Sequence, residues 1–167
     1  THPGKKTLFM GMEFGQTTEW NAWLDLNWSL LNENPHQTLK QLMVDLNVVY
    51  KQEPALYTDD FSTNGFEWIE CNDAEHSVVT FIRRDQHSEQ FVVTACNFMP
   101  QPLYDYWVGV PQSGYYRELL NTDAQKYGGS GVTNGGIQSH SWDHPRWPHA
   151  LALTLPPLGV AIFKFDA

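Results

Sequence analysis

Two acidic residues near the start of the chain, Glu13 and Glu19, are of the type that glycoside chemistry uses. Retaining glycosidic cleavage needs two carboxyl groups about 5 Å apart, one kept protonated and the other acting as a nucleophile. Gln16 and Asn21 could hydrogen-bond sugar hydroxyls, and the indole of Trp20 could stack on the apolar face of a sugar ring. Because Glu19 lies in a loop of unknown path, the spacing does not complete a catalytic pair. We therefore expect a wall of a binding site here but no complete catalytic set.

The segment that would position these side chains, residues 8–21, begins with the apolar run Leu8, Phe9 and Met10. This run predicts a short buried strand, and the glycines at 11 and 15 would allow a tight exit around Glu13 and Phe14. An apolar strand that ends in glycine, with polar side chains just past its carboxyl end, is typical of the sites of α/β barrel enzymes. An ordinary buried strand followed by a polar loop gives the same pattern, so both interpretations stay open.

Other catalytic chemistries find little support in the sequence. No G-x-S-x-G elbow is present, and the glycine run at 128–131 lacks the lysine and hydroxyl residue of a phosphate-binding loop. A metal site is one interpretation of the side chains of His140, His144 and His149 with Asp143. However, these histidines lie in a loop broken by prolines, so helical spacing cannot align them. We favour surface histidines over metal ligands, and we expect neither a metal nor a cofactor.

Composition excludes several classes of function. The 167 residues are 41% hydrophobic and 17% charged, which predicts a folded chain of one large domain, or of one domain plus a fragment of another. A net charge of −9 without a basic stripe disfavours nucleic acid and anionic membranes as partners. No apolar run is long enough to span a bilayer. Because the chain starts at Thr1 rather than at methionine, we expect a piece of a longer protein.

Of the two cysteines, Cys96 lies inside a predicted strand and Cys71 at the end of one, and they are not closely spaced. Free buried thiols in a reducing cytoplasm are the favoured state, with a disulfide as the alternative.

A helix is predicted from Asn34, which could cap it, with Pro35 at its first position and Gln37 reaching back to the cap. An apolar stripe at helical spacing follows, and Pro54 should end the helix. The stripe consists of Leu39, Leu42, Met43, Leu46, Val49 and Tyr50.

From about residue 55 the hydrophobic period changes from helical to two, which indicates strands separated by tight turns. The pattern predicts a mainly β, antiparallel sandwich, with its last two strands forming a closing pair across a corner at Pro156 and Pro157. A long irregular loop is expected at 121–149. The predicted strands span 66–70, 77–84, 90–98, 104–110, 115–120, 151–155 and 158–165.

The runs KTLFMGMEFGQTTEWN, HQTLKQLMVDLNVVYKQEPAL, GFEWIECNDAEHSVVTFIRR, VGVPQSGYYRELLNTDAQKYGGSG and LALTLPPLGVAIF, in this order, resemble the carboxyl-terminal part of bacterial 1,4-α-glucan (glycogen) branching enzymes of the α-amylase superfamily. The resemblance implies that residues 1–55 are the end of a catalytic (β/α) barrel, with its last strand, an aromatic loop and its last helix. It implies that residues 56–167 are the Greek-key-like, all-β carboxyl-terminal sandwich of that superfamily.

Branching enzymes cut an α-1,4 glucan and transfer the segment to a 6-hydroxyl through a covalent glycosyl-enzyme. In that family the nucleophile and the acid/base come from earlier barrel strands, so the resemblance implies that no catalytic carboxylate lies in this chain. Glu13, Phe14, Gln16, Trp20 and Asn21 match the exit of the last barrel strand and become candidate residues lining the glucan cleft. A purely structural role at the barrel rim is the alternative for Glu13 and Phe14.

Two functions follow. The first is a fragment of a glycogen-synthesising glycosyltransferase, cytoplasmic and inactive alone, whose glucan partner is met by the parent enzyme. The second is a free-standing carbohydrate-binding or interaction module. Under the first, residues 1–55 should be covered by the sandwich's own flank, by a second copy or by the rest of the barrel, because exposed apolar side chains favour a partner.

Overall fold

The computed structural model describes residues 1–166, which contain one long helix and nine strands. The helix α1 spans Asn34–Gln52. The strands are β1 Phe66–Asp73, β2 Val78–Arg84, β3 Phe91–Asn97, β4 Leu103–Val110, β5 Tyr115–Asn121, β6 Gly136–Gln138, β7 His140–Ser141, β8 His149–Leu155 and β9 Gly159–Asp166. Single 3₁₀ turns lie at Met12–Phe14, Trp28–Asn32, Pro54–Leu56 and Gln125–Tyr127.

The strands form two antiparallel sheets, which confirms the predicted sandwich. One sheet has six strands in the order β1-β2-β3-β9-β5-β6, and the other has three in the order β4-β8-β7. Alternate side chains of both sheets meet in the main core, as the period of two requires. This core includes Ile82, Val93, Val108, Leu151, Leu153 and Phe163, all at most 1% exposed.

The expected closing pair of strands is wrong. β8 pairs with β4 and β7 in the three-stranded sheet, whereas β9 pairs with β3 and β5 in the six-stranded sheet. Pro156 and Pro157 carry the chain from one sheet to the other, so the predicted corner is present but joins different layers. Proline cannot donate to a strand ladder, and this explains why pairing stops there.

Helix α1 begins at Asn34 and ends ahead of Pro54, as predicted, but its cap differs. Glu33 is the N-cap residue, and no side chain caps the first turn. The side chain of Gln37 donates instead to the Leu31 carbonyl, at 2.7 Å. The capping box is therefore absent, and the helix is held mainly by packing.

The apolar stripe of α1 packs on the outer face of the six-stranded sheet and forms a second core. Leu42, Leu46, Val49 and Tyr50 lie against Ala55, Leu56, Val92, Leu120 and Ile162. The molecule thus has three layers: the three-stranded sheet, the six-stranded sheet, and α1 with the amino-terminal segment. Because both faces of the six-stranded sheet are covered, every residue of β3 is buried.

The strand expected at residues 8–10 does not form in this chain. Leu8 and Phe9 are each 50% exposed, and no strand is assigned ahead of β1 in the described residues. Met10 adopts a φ of 44° and Gly11 a φ of 90°, so the chain turns out of the extended conformation at once. A strand needs a neighbour to satisfy its backbone groups, and residues 1–166 offer none at this position.

The segment 121–149 is less irregular than expected, since β6 and β7 lie within it. Asp123 organises its glycine-rich part by accepting hydrogen bonds from the backbone and hydroxyl of Ser130 and from the backbone of Val132. Cys96 is buried as expected, but Cys71 is exposed, and both thiols are free. Within residues 1–166, α1 lacks the length of apolar sequence that a membrane span requires.

Candidate functional site

The predicted site segment folds around the 3₁₀ turn at Met12–Phe14, which two glycines in the left-handed conformation bracket. Gly11 has a φ of 90° and Gly15 a φ of 69°, so the tight exit predicted from the sequence is present. A Cβ at position 15 would lie 2.8 Å from Cδ2 of Leu39, which places the turn directly on α1.

Phe14 is fully buried and fixes the turn to its surroundings. Its ring lies 5.1 Å from that of Trp28, and its carbonyl accepts a hydrogen bond from Nδ1 of His36 at 2.7 Å. The structure therefore gives Phe14 a packing role in this chain, with no surface free to contact a ligand.

The side-chain carbonyls of Gln16 and Asn21 accept hydrogen bonds from within the loop itself. Oε1 of Gln16 accepts from the backbone of Asn27 at 3.0 Å, and Oδ1 of Asn21 accepts from the backbone of Trp23 at 2.8 Å. Each amide nitrogen is left for other partners. Trp20 is 55% exposed and packs edge-to-face on Phe9, with ring centroids 5.5 Å apart.

Glu13 and Glu19 do not line the same groove in the residues that the structure describes. Glu13 lines a groove of about 490 Å³ between residues 8–13 and α1, together with Leu26 and Lys40. Glu19 and the other four candidate residues are not among the residues that line it. The arrangement gives an acid at the edge of an open groove rather than the closed carboxylate pair that glycoside cleavage requires.

A larger cleft of about 810 Å³ separates the amino-terminal segment from α1 and the start of the sandwich. Asp59 and Asp60 line this cleft. The buried guanidinium of Arg83, which contacts both of them, joins four separate backbone positions. It donates to the carbonyls of Gly65 at 2.9 Å, Thr1 at 3.0 Å, His2 at 3.2 Å and Asp59 at 3.1 Å.

The same guanidinium pairs with the carboxylate of Asp60 at 2.7 Å, and Nζ of Lys6 reaches the same oxygen at 2.9 Å. Burial alone would raise the pKa of Asp60, but the hydrogen bonds from Lys6 and Arg83 outweigh it and lower that pKa. Asp60 is therefore a fixed anion that ties the amino-terminal segment to the sandwich. The sequence analysis did not predict this cluster, because two adjacent arginines at the end of a strand, such as Arg83 and Arg84, are usually exposed to solvent.

Exposed apolar side chains concentrate in the first third of the chain. Eleven of the seventeen large apolar side chains exposed in residues 1–166 lie within 8–61. Trp23 is 93% exposed and Phe61 83%, values that are unusual for such residues in a folded monomer. The set is Leu8, Phe9, Met12, Trp20, Trp23, Leu24, Trp28, Val44, Val48, Tyr57 and Phe61.

The histidines at 140, 144 and 149 do not form a metal site. Within residues 1–166 no three His, Cys, Asp or Glu side chains are grouped so that they could hold a metal ion. Nδ1 of His144 accepts hydrogen bonds from the backbones of Arg146 and Trp147, which places its ring proton on Nε2. His144 is thus part of the loop's own framework.

The two packed antiparallel sheets, with a helix on the outer face of the larger one, define an all-β sandwich domain. The profile of the alpha amylase C-terminal all-beta domain matches residues 68–166, and the chain belongs to that family. A structure of an inactive double mutant of MutB in complex with isomaltulose shares the fold, with a TM-score of 0.50 and 18% identity. That match covers 86% of this chain and 22% of the MutB chain.

Sequence comparison with curated relatives identifies a narrower group of similar proteins than the fold does. The chain is 58% identical to the 1,4-alpha-glucan branching enzyme GlgB of Synechocystis sp. over 167 residues, and 56% identical to GlgB of Trichormus variabilis over 166 residues. GlgB of Thermosynechococcus vestitus is 54% identical over 167 residues. Each alignment covers 99% of this chain but 22% of the relative, so the chain spans about a fifth of their length.

Proposed function

We propose that this chain is the carboxyl-terminal part of a 1,4-α-glucan branching enzyme of glycogen synthesis. Its parent transfers a cut α-1,4 glucan segment to a 6-hydroxyl. The observation that carries this proposal is the identity of 54–58% to branching enzymes along nearly the whole chain. A shared all-β domain alone would support only the superfamily, because one fold serves many chemistries.

In this proposal residues 1–55 complete the catalytic barrel and residues 56–167 brace it. The eleven exposed apolar side chains within residues 8–61 are the surface that the rest of the barrel covers. Burying one large apolar side chain contributes roughly 1.5–3 kcal/mol, so a surface of this size favours association strongly. Residues 8–10 would become extended when a neighbouring barrel strand supplies the backbone partners they lack here.

The chemistry belongs to groups outside this chain, and this chain shapes one edge of the cleft. Glu13, Gln16, Trp20 and Asn21 would line the glucan path, while Phe14 would hold their turn on α1. The open groove beside Glu13 and the exposed ring of Trp20 support this division of roles. The cytoplasm is the proposed location.

The isolated chain should show no branching of amylose when the product is measured by the shift of its iodine complex. Mixing or co-expressing it with the remaining barrel portion of the parent should restore activity. Branching by the isolated chain would refute the proposal, and so would a complemented protein that leaves amylose unbranched. A parallel size-exclusion run distinguishes the covering partner, because self-association of the isolated chain should disappear on complementation.

A further inference from the structure

Aromatic rings cover the outer face of the three-stranded sheet, far along the chain from the predicted cleft. Trp107 lies on β4, His140 on β7, and Trp142 and His144 follow directly. Ring centroids of Trp107 lie 5.9 Å from His140 and 6.2 Å from Trp142, and Trp142 stacks on His144 at 4.5 Å and 14°. These four residues are called the aromatic platform below.

The sheet beneath the platform carries small residues. Gly109 pairs with Ala150, Ala150 pairs with His140, and Ala152 pairs with Trp107. These small side chains leave space on this face of the sheet for the rings of the platform. Trp147 packs on Gly109 so closely that a Cβ there would come within 2.3 Å of the indole.

Hydrogen bonds hold the platform in place before any ligand arrives. The backbone N–H of Trp142 donates to the carbonyl of Pro148 at 3.0 Å. Nδ1 of His144 accepts from the backbones of Arg146 at 3.3 Å and Trp147 at 3.2 Å. Since these bonds hold the segment that carries Trp142 and His144, a ligand that binds beside it loses little conformational entropy in that part of the protein.

The chemistry of the platform favours a neutral, hydroxyl-rich ligand. Trp107 is 45% exposed, and the polar side chains of Gln138, Ser141 and Asp143 are exposed next to β6 and β7. Arg146 is engaged with Glu67 at 2.9 Å, so it does not offer an unpaired charge to an anion. Indole faces beside amide and hydroxyl groups match a sugar ring, which has an apolar C–H face and polar edges.

We propose that the aromatic platform is a glucan-binding surface on the sandwich, at which an α-1,4-linked chain stacks on the exposed ring of Trp107, beside Trp142. The geometry supports a sugar, and the choice of an α-glucan rests on the proposed function. Such a surface would hold a long polymer on the enzyme while a distant cleft acts on its end, through the gain in effective concentration that two linked sites provide.

The test is a titration of the ¹⁵N-labelled chain with maltoheptaose, followed by the indole N–H signals of its seven tryptophans. The signals of Trp107 and Trp142 should shift together along one binding curve. Trp107→Ala should weaken binding about tenfold, which corresponds to 1.4 kcal/mol, and Trp107→Phe should recover part of it. Phe98→Ala, which removes an aromatic ring that is 60% exposed outside the platform, should leave affinity unchanged.

The inference would be overturned if the Trp107 and Trp142 signals did not shift at millimolar maltoheptaose. It would also be overturned if the Trp107→Ala variant and the unsubstituted chain bound maltoheptaose with equal affinity. A urea midpoint for each variant separates lost binding from lost folding. The iodine assay keeps the two proposals distinct. Branching by the complemented protein without binding at the platform refutes this inference alone, and platform binding without branching refutes the proposed function alone.

Discussion

Replacing Arg83 by methionine should be among the most damaging single changes in this chain. The side chain of Arg83 is fully buried, and it makes one ion pair with Asp60 and four hydrogen bonds to backbone carbonyls. Methionine fills similar space but leaves these oxygens without their donor. Breaking a buried ion pair by removing one partner costs roughly 3–5 kcal/mol of unfolding free energy. The cost of the four carbonyls left without a donor is partly included in this figure and does not add to it in full. Against a total stability of about 5–15 kcal/mol, this is a large fraction.

Urea denaturation followed by tryptophan fluorescence measures this loss as a change in midpoint at constant slope. Arg84→Met is the matched control, because the neighbouring Arg84 pairs with Glu67 while 35% of its side chain stays exposed. That pair should contribute at most about 1 kcal/mol. Equal losses in the two variants, or a loss below about 1 kcal/mol for Arg83→Met, would refute the assignment of Arg83 as the anchor of the amino-terminal segment.

Two further substitutions test the same region. Because folding lowers the pKa of Asp60, the stabilisation from its carboxylate is complete above the ordinary carboxyl pKa and is lost as the pH falls through the folded-state pKa. Asp60→Asn should therefore make the free energy of unfolding fall less steeply at acid pH. Urea titrations that show the same fall at acid pH in both proteins would contradict this. Gly15→Ala should cost about 1–2 kcal/mol for its left-handed backbone, plus the displacement of Leu39. Gly135→Ala is the control, with a similar φ of 67° and open space around it, so Gly15→Ala should show the lower thermal midpoint of the two.

The strands were predictable because their burial is local in sequence. In β3 the continuous buried run follows directly from a strand that faces two cores. The pairing of β8 and β9 was not predictable from their neighbouring positions. A two-proline connection fits a hairpin corner and a crossover between sheets equally well, and only the packing of both layers decides between them. β6 and β7, at three and two residues, are too short to carry a periodic signal.

The candidate site was predicted less well, for a different physical reason. The glycines around Glu13 marked the tight turn correctly, since a positive φ is a local property. The strand before them depends on partners, and the sequence of residues 8–10 cannot say whether a partner is present in the same chain. Arg83 was missed because its partners lie far away along the sequence, at residues 1, 2, 59, 60 and 65. The assignment of Glu13, Gln16, Trp20 and Asn21 to a glucan cleft remains a prediction.

The packing of α1 against the six-stranded sheet has a consequence for protein engineering. A chimera that exchanges the sandwich between relatives at residue 56 would cut through the shared core formed by Leu46, Leu56 and Ile162. Both halves of the hybrid would then meet at mismatched side chains. A chimera that takes all of residues 1–166 from one relative would transplant the helix and both sheets as one unit and leave that core native.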